Sequence, residues 1–250
     1  MSRAPSARPA STPSRRCARS ELSAMRKPRF LPASCIAAAL VIASSLAAAE
    51  PTSIMPDLTA VPSGPGWKLI SRSAAIIDKD GAKALHLEGK DGTGFVRLEN
   101  FPFANGVIEF DARGRNVFQQ SFVGVAFHGA DEKNYDAVYF RPFNFLADDP
   151  ARRAHAVQYI SLPAHPWQKL REQFPGKYEK PVAPAPDPNG WFHVRVAVAW
   201  PKVSVFVNDA KEPSLVVDQL SDRKRGWVAL WVDVSGGDFA NLKITPAPTP

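Results

Sequence analysis

Cysteine is almost absent from this chain of 250 residues, and both copies, Cys17 and Cys35, lie in its first 49 residues. Residues 50–250 therefore form no disulfide bond, offer no thiol nucleophile and provide no thiolate ligand for a metal. Their stability has to come from a packed core, for which a length of about 200 residues is sufficient.

An excess of one charge sign is also missing once the chain is divided. The net charge of +7 belongs to residues 1–49, which hold eight of the 31 lysines and arginines and one of the 24 acids. Residues 50–250 carry 23 groups of each sign. This balance excludes the basic footprint typical of nucleic-acid-binding proteins, so we expect no nucleic-acid partner.

Several signatures of enzymes and metal proteins do not occur. The chain has no phosphate-binding loop, Gly-x-Ser-x-Gly elbow, dinucleotide fingerprint or repeat of fixed period, and its five histidines lack metal-ligand spacing. The run from Asp233 to Asp238 contains oxygen ligands suited to Ca²⁺, but it is equally suited to a hairpin turn. We therefore expect no cofactor and no metal, with Ca²⁺ as the open alternative.

An N-terminal leader is present. A basic stretch at 26–29 precedes an apolar run at 36–48, and three alanines end at position 49. This order is typical of a secretory signal peptide, here cleaved before Glu50, and Met25 is an alternative start. We predict a periplasmic or secreted protein that is free of the membrane after cleavage; the alternative is an uncleaved anchor.

The remainder of the chain has the pattern of an all-β protein. A proline-rich extension (50–66) precedes short apolar runs (67–245), and a tail predicted to be disordered follows (246–250). Gly, Pro, Asn and Asp separate the runs, and alternating valines at 194–198 show the period of two of a half-buried strand. We predict a two-sheet antiparallel β-sandwich with one short helix at 166–174. The predicted strands are 67–71, 84–88, 95–101, 107–113, 122–128, 136–141, 156–162, 191–200, 203–208, 215–220, 227–234 and 239–245.

The strand at 107–113 contains the first candidate catalytic groups. Glu109, Asp111 and Arg113 share one face of it, and successive residues of a face are about 7 Å apart. Two carboxylates at that separation suit the acid and base roles of a glycosidase. The alternative is that Arg113 neutralises both acids on a solvated sheet face, which is a common arrangement.

A second cluster combines aromatic and planar polar side chains. Residues 135–145 hold five aromatic residues together with Arg141 and Asn144. Aromatic faces stack on the C–H patches of sugars, and planar Arg, Asn and Gln groups bond to sugar hydroxyls. We expect Phe140, Phe143 and Phe145 to fill the core. The candidate substrate-binding residues are Arg113, Tyr139, Arg141, Asn144, Gln158 and Trp167.

The order of these segments resembles a known superfamily. GVIEFDARG, FVGVAFHG, NYDAVYFRPFNF, GWFHVRVAV, VSVFVND and GWVALWVDVSGGDFANLKI together resemble a concanavalin A-like lectin/glucanase jelly roll. The most similar branch contains the laminin-G-like and 3-keto-disaccharide hydrolase domains, and the resemblance spans nearly all of 67–245. It implies a two-sheet sandwich that binds carbohydrate on its concave face. The laminarinase-type branch carries Glu-x-Asp-x-x-Glu; Glu109-Phe110-Asp111 matches the opening, but the second glutamate is replaced by Gly114.

These observations leave three functional hypotheses. A glycan-binding module needs only the aromatic and planar polar groups. A glycoside or 3-keto-glycoside hydrolase also needs an acid or base, first Glu109 or Asp111 and then His155 or Glu179. A laminin-G-like adhesion module uses the same face to bind a protein. Our leading hypothesis is an exported carbohydrate-active sandwich whose cleft is formed by Glu109, Asp111, Arg141, Gln158 and Trp167.

Overall fold

The computed structural model describes residues 52–62 and 64–248. The predicted signal peptide and the alternative start at Met25 lie outside the described residues. Within the extension, Ile54 pairs with Ile244, and Leu58 and Val61 are buried against the sandwich. None of the helices in the described ranges has the length and hydropathy needed to cross a membrane.

The described residues form fourteen β-strands in two seven-stranded sheets. The first sheet has the order β1-β4-β13-β6-β7-β8-β9, and the second has the order β12-β11-β10-β5-β14-β3-β2. All pairings between these strands are antiparallel. The predicted all-β, two-sheet antiparallel sandwich is thereby confirmed. The strands are β1 Trp67–Ile70, β2 Ala74–Lys79, β3 Ala82–Leu87, β4 Lys90–Leu98, β5 Gly106–Arg113, β6 Ser121–Asp131, β7 Asn134–Phe140, β8 Val157–Leu162, β9 Glu179–Lys180, β10 Phe192–Ala199, β11 Lys202–Val207, β12 Leu215–Asp218, β13 Trp227–Val234 and β14 Gly237–Pro246.

Hydrophobic alternation explains why segments such as β5, β10 and β11 become strands. In β10, Val194, Val196 and Val198 are buried, whereas the residues between them are partly exposed. A tight turn at Trp200-Pro201 then returns the chain into β11, which confirms the hairpin that the sequence predicts. Each strand thus places one row of side chains in the core and the other row on the opposite face.

The core lies between the two sheets. Phe140 of β7 and Phe192 of β10 meet across the gap with ring centroids 5.3 Å apart, which identifies the inner face of each sheet. Tyr139, the neighbour of Phe140, therefore lies on the outer face of the first sheet. The register aligns Gln158 and Gly124 with Tyr139, and Trp231 with Gly124, on that same face.

One helix and two strands of the structure were not predicted from the sequence. Helix α1 spans Pro150–Arg153 and helix α2 spans Trp167–Gln173; only α2 was predicted. Strands β2 and β9 were also not predicted, because β2 is a half-buried edge strand and β9 has two residues. The predicted disordered tail begins too early, since Pro246 ends β14 and the Ala247 amide donates to the Asn105 carbonyl.

Candidate functional site

The structure separates the predicted site residues into two groups. Tyr139, Arg141, Asn144, His155, Gln158, Trp167 and Glu179 gather at the outer face of the first sheet. Glu109, Asp111 and Arg113 belong to β5 of the second sheet, where they alternate with buried Ile108 and Phe110. The single cleft predicted from both groups does not exist, because the outer faces of two packed sheets point away from each other.

A cavity of about 550 Å³ lies at the outer face of the first sheet. We call it the arginine cleft, because three guanidinium groups contribute to its walls. Its size suits a small ligand or a few sugar rings. The lining residues are Phe118, Gln119, Phe122, Arg141, Phe143, Asn144, Arg152, His155, Trp167, Arg171 and Val234.

Glu179 is the charged centre beneath the arginine cleft. It lies on the edge strand β9, opposite Gln158 of β8, and only 2% of the residue is exposed. Arg171 donates from Nε to Oε1 at 2.8 Å and from Nη2 to Oε2 at 2.7 Å. Arg141 Nη1 lies 3.7 Å from Oε2. These cations compensate the cost of burying the carboxylate.

His155 is the fourth member of this charged group. Its Nδ1 lies 2.9 Å from Oε1 of Glu179, without the alignment of a hydrogen bond. Burial lowers the pKa of His155, and the charges of Arg171 and Arg141 add to this effect against the opposing pull of Glu179. The imidazole is therefore neutral at pH 7.

Arg141 forms the floor of the arginine cleft and is held from below. Its Nη2 donates to the Tyr139 hydroxyl at 2.8 Å and to Gln158 Oε1 at 3.2 Å, and its Nη1 donates to the His155 carbonyl at 2.9 Å. Burial raises the pKa of Tyr139 to about 12, so its hydroxyl stays neutral. Tyr139 and Gln158 are both buried, so they position Arg141 and have no free face for a ligand.

Two pairs of an arginine and an aromatic ring form the rim. Trp167 and Arg171 lie one turn apart on α2, and the guanidinium carbon is 4.8 Å from the ring centroid. Arg152 of α1 lies 4.5 Å from the ring centroid of Phe118. Trp167 is 38% exposed and Phe118 is 54% exposed, so each ring offers a face to a ligand.

Short-range interactions position Arg152. The Asp149 side chain accepts a hydrogen bond from the Ala151 amide and caps α1, and Arg152 Nη2 donates to the Phe143 carbonyl at 2.7 Å. Asn144 accepts a hydrogen bond from Arg152 Nε at 3.3 Å. Sequence reasoning missed Phe118, Arg152 and Arg171, because only the tertiary fold brings their loop and helices to the cleft.

The acids of the second sheet are engaged in ion pairs. Asp111 accepts hydrogen bonds from Asn241 at 2.7 Å and from Lys79, and its Oδ1 lies 2.8 Å from His193 Nδ1. Burial opposes ionisation of Asp111, but these three partners prevail and lower its pKa to about 2. Glu109 lies 3.1 Å from Lys243.

Arg113 does not neutralise the two acids of its own strand, as the alternative interpretation expected. Its Nε donates instead to Asp238 at 2.7 Å, because the register sets these two residues opposite each other. The arrangement is that of a charge-paired sheet face. No cavity wall of the arginine cleft is formed by this face.

The candidate calcium ligands diverge. Asp233 is the penultimate residue of β13 in the first sheet and accepts a hydrogen bond from Thr93 at 3.2 Å. Asp238 belongs to β14 in the second sheet and contacts His86 Nδ1 at 2.6 Å as well as Arg113. The described residues contain no group of three or more histidines or acids arranged for a metal ion. The expectation of no metal, with Ca²⁺ as the open alternative, stays a prediction.

Comparison with known proteins defines the class of fold. No protein-family model and no curated protein sequence matches the chain. A native glycosidic hydrolase matches with a TM-score of 0.51 at 12% identity, covering 80% of this chain and 98% of its own. The carbohydrate-binding module CBM66 from Bacillus subtilis matches with a TM-score of 0.48 at 14% identity, covering 72% and 96%.

The Ca²⁺/Man3GlcNAc-bound exoplasmic/lumenal domain of VIP36 matches with a TM-score of 0.47 at 10% identity, covering 79% of this chain and 92% of its own. Similarities at such identities concern the fold. The described residues thus have the fold of a two-sheet, concanavalin A-like β-sandwich.

Proposed function

We propose that the protein binds glycans in the arginine cleft. The observation that carries this proposal is the pairing of two exposed aromatic rings, Trp167 and Phe118, with guanidinium groups around one cavity of about 550 Å³. An aromatic face stacks on the C–H patch of a sugar ring, and guanidinium N–H groups donate to its oxygens. The fold-level similarity to a glycosidic hydrolase supports a carbohydrate ligand.

The rigidity of the site supports binding. Arg141 is held by Tyr139, Gln158 and the His155 carbonyl, and Arg171 is held by Glu179 at two points. Groups fixed before the ligand arrives lose little conformational entropy on binding. Such a preorganised site favours ligand binding.

Hydrolysis by a pair of carboxylates has less support. Glu179 is the only carboxylate in ion-pair contact with a lining residue in the described part of the chain. Asp233 precedes the lining residue Val234, but β13 lies four strand spacings from β9, or about 19 Å. A glycosidase pair needs a separation of about 5–10 Å. Glu109 and Asp111 lie on the other sheet.

A second candidate function rests on His155. This histidine lines the arginine cleft and is neutral at pH 7, so it can act as a base.

In a 3-keto-glycoside the C2 proton is acidified by the ketone. Its removal by His155 leaves an enolate; the electrons then form the C1–C2 double bond as the C1–O bond breaks. The leaving oxygen takes a proton from the histidinium, and water adds across C1–C2.

A matched pair of histidine variants tests this second function. We expect the wild type to exchange the C2 proton of a 3-keto-glucoside in D₂O and to release the aglycone, measured by NMR. His155→Gln should abolish both reactions. His165→Gln should retain them, because His165 is also a partly buried histidine with a lowered pKa but lies outside the lining. Equal rates in the two variants would exclude His155 as the base.

Export is part of the proposed function. The leader at 1–49 supports delivery outside the cytoplasm, where extracellular glycans are available. Expression of the full chain in a bacterial host, followed by N-terminal sequencing of the periplasmic protein, should give a first residue of Glu50. Recovery of the uncleaved chain in the membrane fraction would support the anchor instead.

Two tryptophan variants test the binding function. Trp167→Ala should weaken binding on an oligosaccharide array by about tenfold or more, because one stacking face is lost. Trp200→Ala is the matched control, since Trp200 is 40% exposed and also carries a cation, Lys224, at 4.0 Å, but it lies outside the cleft. If no oligosaccharide binds the folded wild type, the proposal fails and the adhesion hypothesis gains support.

A further inference from the structure

The arginine cleft has an excess of positive charge. Arg141, Arg152 and Arg171 line it, whereas no acidic side chain does. The one acid that pairs with any of them is Glu179, which contacts Arg141 and Arg171, is almost completely buried and has both oxygens occupied by Arg171. The neutral state of His155 adds no charge. Three cations and one anion therefore leave an excess of two positive charges at the cleft.

Two of the guanidinium groups have unused donors. Arg171 uses Nε and Nη2 on Glu179, and Arg152 uses Nε and Nη2 on Asn144 and the Phe143 carbonyl. Within the described residues, no hydrogen bond involves Nη1 of either arginine. Arg171 and Arg152 thus each retain an Nη1 group with which to bind a ligand.

The shortage of acceptors in the lining distinguishes between ligand classes. A sugar hydroxyl both donates and accepts, so lectin sites for neutral sugars need acceptors as well as donors. Here the side-chain acceptors are the amides of Gln119 and Asn144 and the imidazole of His155, and the Asn144 oxygen already accepts from Arg152. A carboxylate or sulfate only accepts, and its charge strengthens hydrogen bonds from arginine.

Building on the proposed glycan-binding function, we propose that the arginine cleft is selective for acidic oligosaccharides. The anionic group of the sugar accepts hydrogen bonds from Arg152 and Arg171, and its ring stacks on the exposed face of Trp167 or Phe118. Uronic-acid carboxylates and sulfate esters share the required chemistry. A binding experiment with one probe of each kind distinguishes the carboxylate from the sulfate ester.

Three hexasaccharides distinguish the outcomes when titrated calorimetrically into the purified protein. The probes are hexagalacturonate, its fully methyl-esterified form, which is neutral, and a sulfated galactan hexamer. We expect at least one acidic probe to bind about tenfold or more tightly than the ester, with an affinity that falls as salt is raised. The stronger acidic probe identifies the anionic group.

Matched arginine variants locate the interaction. Arg152→Gln should lower the affinity for the preferred acidic probe about tenfold and the affinity for the neutral ester by a clearly smaller factor. Arg195→Gln is the control, because Arg195 also lies on a phenylalanine ring, at 3.6 Å from Phe206, but on the second sheet. Circular dichroism confirms that each variant is folded.

Two results contradict the inference in distinguishable ways. Trp167-dependent binding of the methyl ester with equal or greater affinity overturns selectivity for acidic sugars but leaves glycan binding in place. Absence of binding by all three hexamers and by the oligosaccharide array overturns both proposals. An equal loss of affinity in the Arg152 and Arg195 variants places the anion outside the arginine cleft and also overturns the inference.

Discussion

Arg171 and Glu179 join the short helix α2 to the edge of the first sheet through two parallel hydrogen bonds of 2.8 and 2.7 Å. The carboxylate comes from β9, which consists of two residues, and the guanidinium group also carries the Trp167 ring at 4.8 Å. One buried acid therefore positions both a cation and an aromatic ring of the arginine cleft. Leu170, buried on the same helix, adds an apolar anchor.

Glu179→Gln should weaken both the fold and the ligand site. The substitution leaves Arg171 and Arg141 without their counter-charge, and breaking a buried pair costs about 3 kcal/mol of unfolding free energy. Urea denaturation measures this loss. Glu172→Gln, at an exposed position on the same helix, should change the unfolding free energy by less than about 0.5 kcal/mol. Equal stability of the two variants would contradict the structural role of Glu179.

Gly124→Ala should disturb the floor of the arginine cleft. Gly124 lies between Tyr139 and Trp231, whose rings stack with centroids 4.8 Å apart. A β-carbon at this position would come within 2.2 Å of the Val138 carbonyl oxygen and 2.6 Å of the Tyr139 Cα. We expect a loss of about 2 kcal/mol or more in unfolding free energy, together with altered tryptophan fluorescence.

Gly190→Ala is the control for this glycine variant. There the added carbon meets the Asp187 side chain at 3.1 Å in a turn, with no backbone contact as short as those at Gly124. A small effect at Gly190 beside a large one at Gly124 is the expected result. A neutral Gly124→Ala variant would contradict the close approach of the three strands.

Asp111→Asn should change the pH dependence of stability. The folded-state pKa of Asp111 is about 2, below its ordinary 3.8, so its contribution is present above pH 4 and disappears as pH falls through 2. The hydrogen bond to Asp111 raises the pKa of His193 above 6.5. Protonated His193 therefore stabilises the folded protein below pH 6.5, and this stabilisation is lost as pH rises through the raised pKa of His193. The stability lost in the variant should therefore be greatest near pH 5.

The expected difference at pH 5 is about 1–2 kcal/mol after allowance for solvent screening. Chemical denaturation of the wild type and the variant at pH 2.5, 5 and 8.5 measures it. Glycan binding should be retained at pH 7, because Asp111 lies on the opposite sheet. A difference that does not vary with pH would contradict the assigned ion pair.

Asp136→Asn should destabilise the sandwich without reaching the arginine cleft. Asp136 is completely buried on the inner face and accepts hydrogen bonds from Tyr159 at 2.7 Å, Ser221 at 2.7 Å and Arg223 at 3.2 Å. The amide leaves part of these donors unsatisfied, at a cost of about 2 kcal/mol in unfolding free energy. Asp222→Asn is the control: Asp222 is exposed and lies between Ser221 and Arg223 in the loop that contacts Asp136, so this variant should have nearly the stability of the wild type.

The strands could be predicted because their signal is local. Each of the twelve predicted runs overlaps an observed strand, and β13 begins and ends at the predicted residues, Trp227 and Val234. A period of two requires only that one face be buried, and turn residues mark where each run ends. β9 had no such signal, so Glu179 was expected on a loop.

The site was predictable only in part. Arg141, Asn144, His155 and Trp167 were candidates and do line the arginine cleft. The same reasoning also selected Glu109 and Asp111, since alternation along a strand reveals that two residues share a face but not to which sheet the strand belongs. Phe118 and Arg152 had no distinguishing pattern, because their role arises from neighbours distant in sequence.

The sequence by itself determined the absence of disulfides in residues 50–250, the strand pattern and the class of fold, since each depends on composition or on neighbours along the chain. Tertiary structure alone decided the order of the strands, the separation of Glu109 from Arg141 and the convergence of three arginines on one cavity. Those properties depend on pairing between segments far apart in the chain, which local periodicity does not specify.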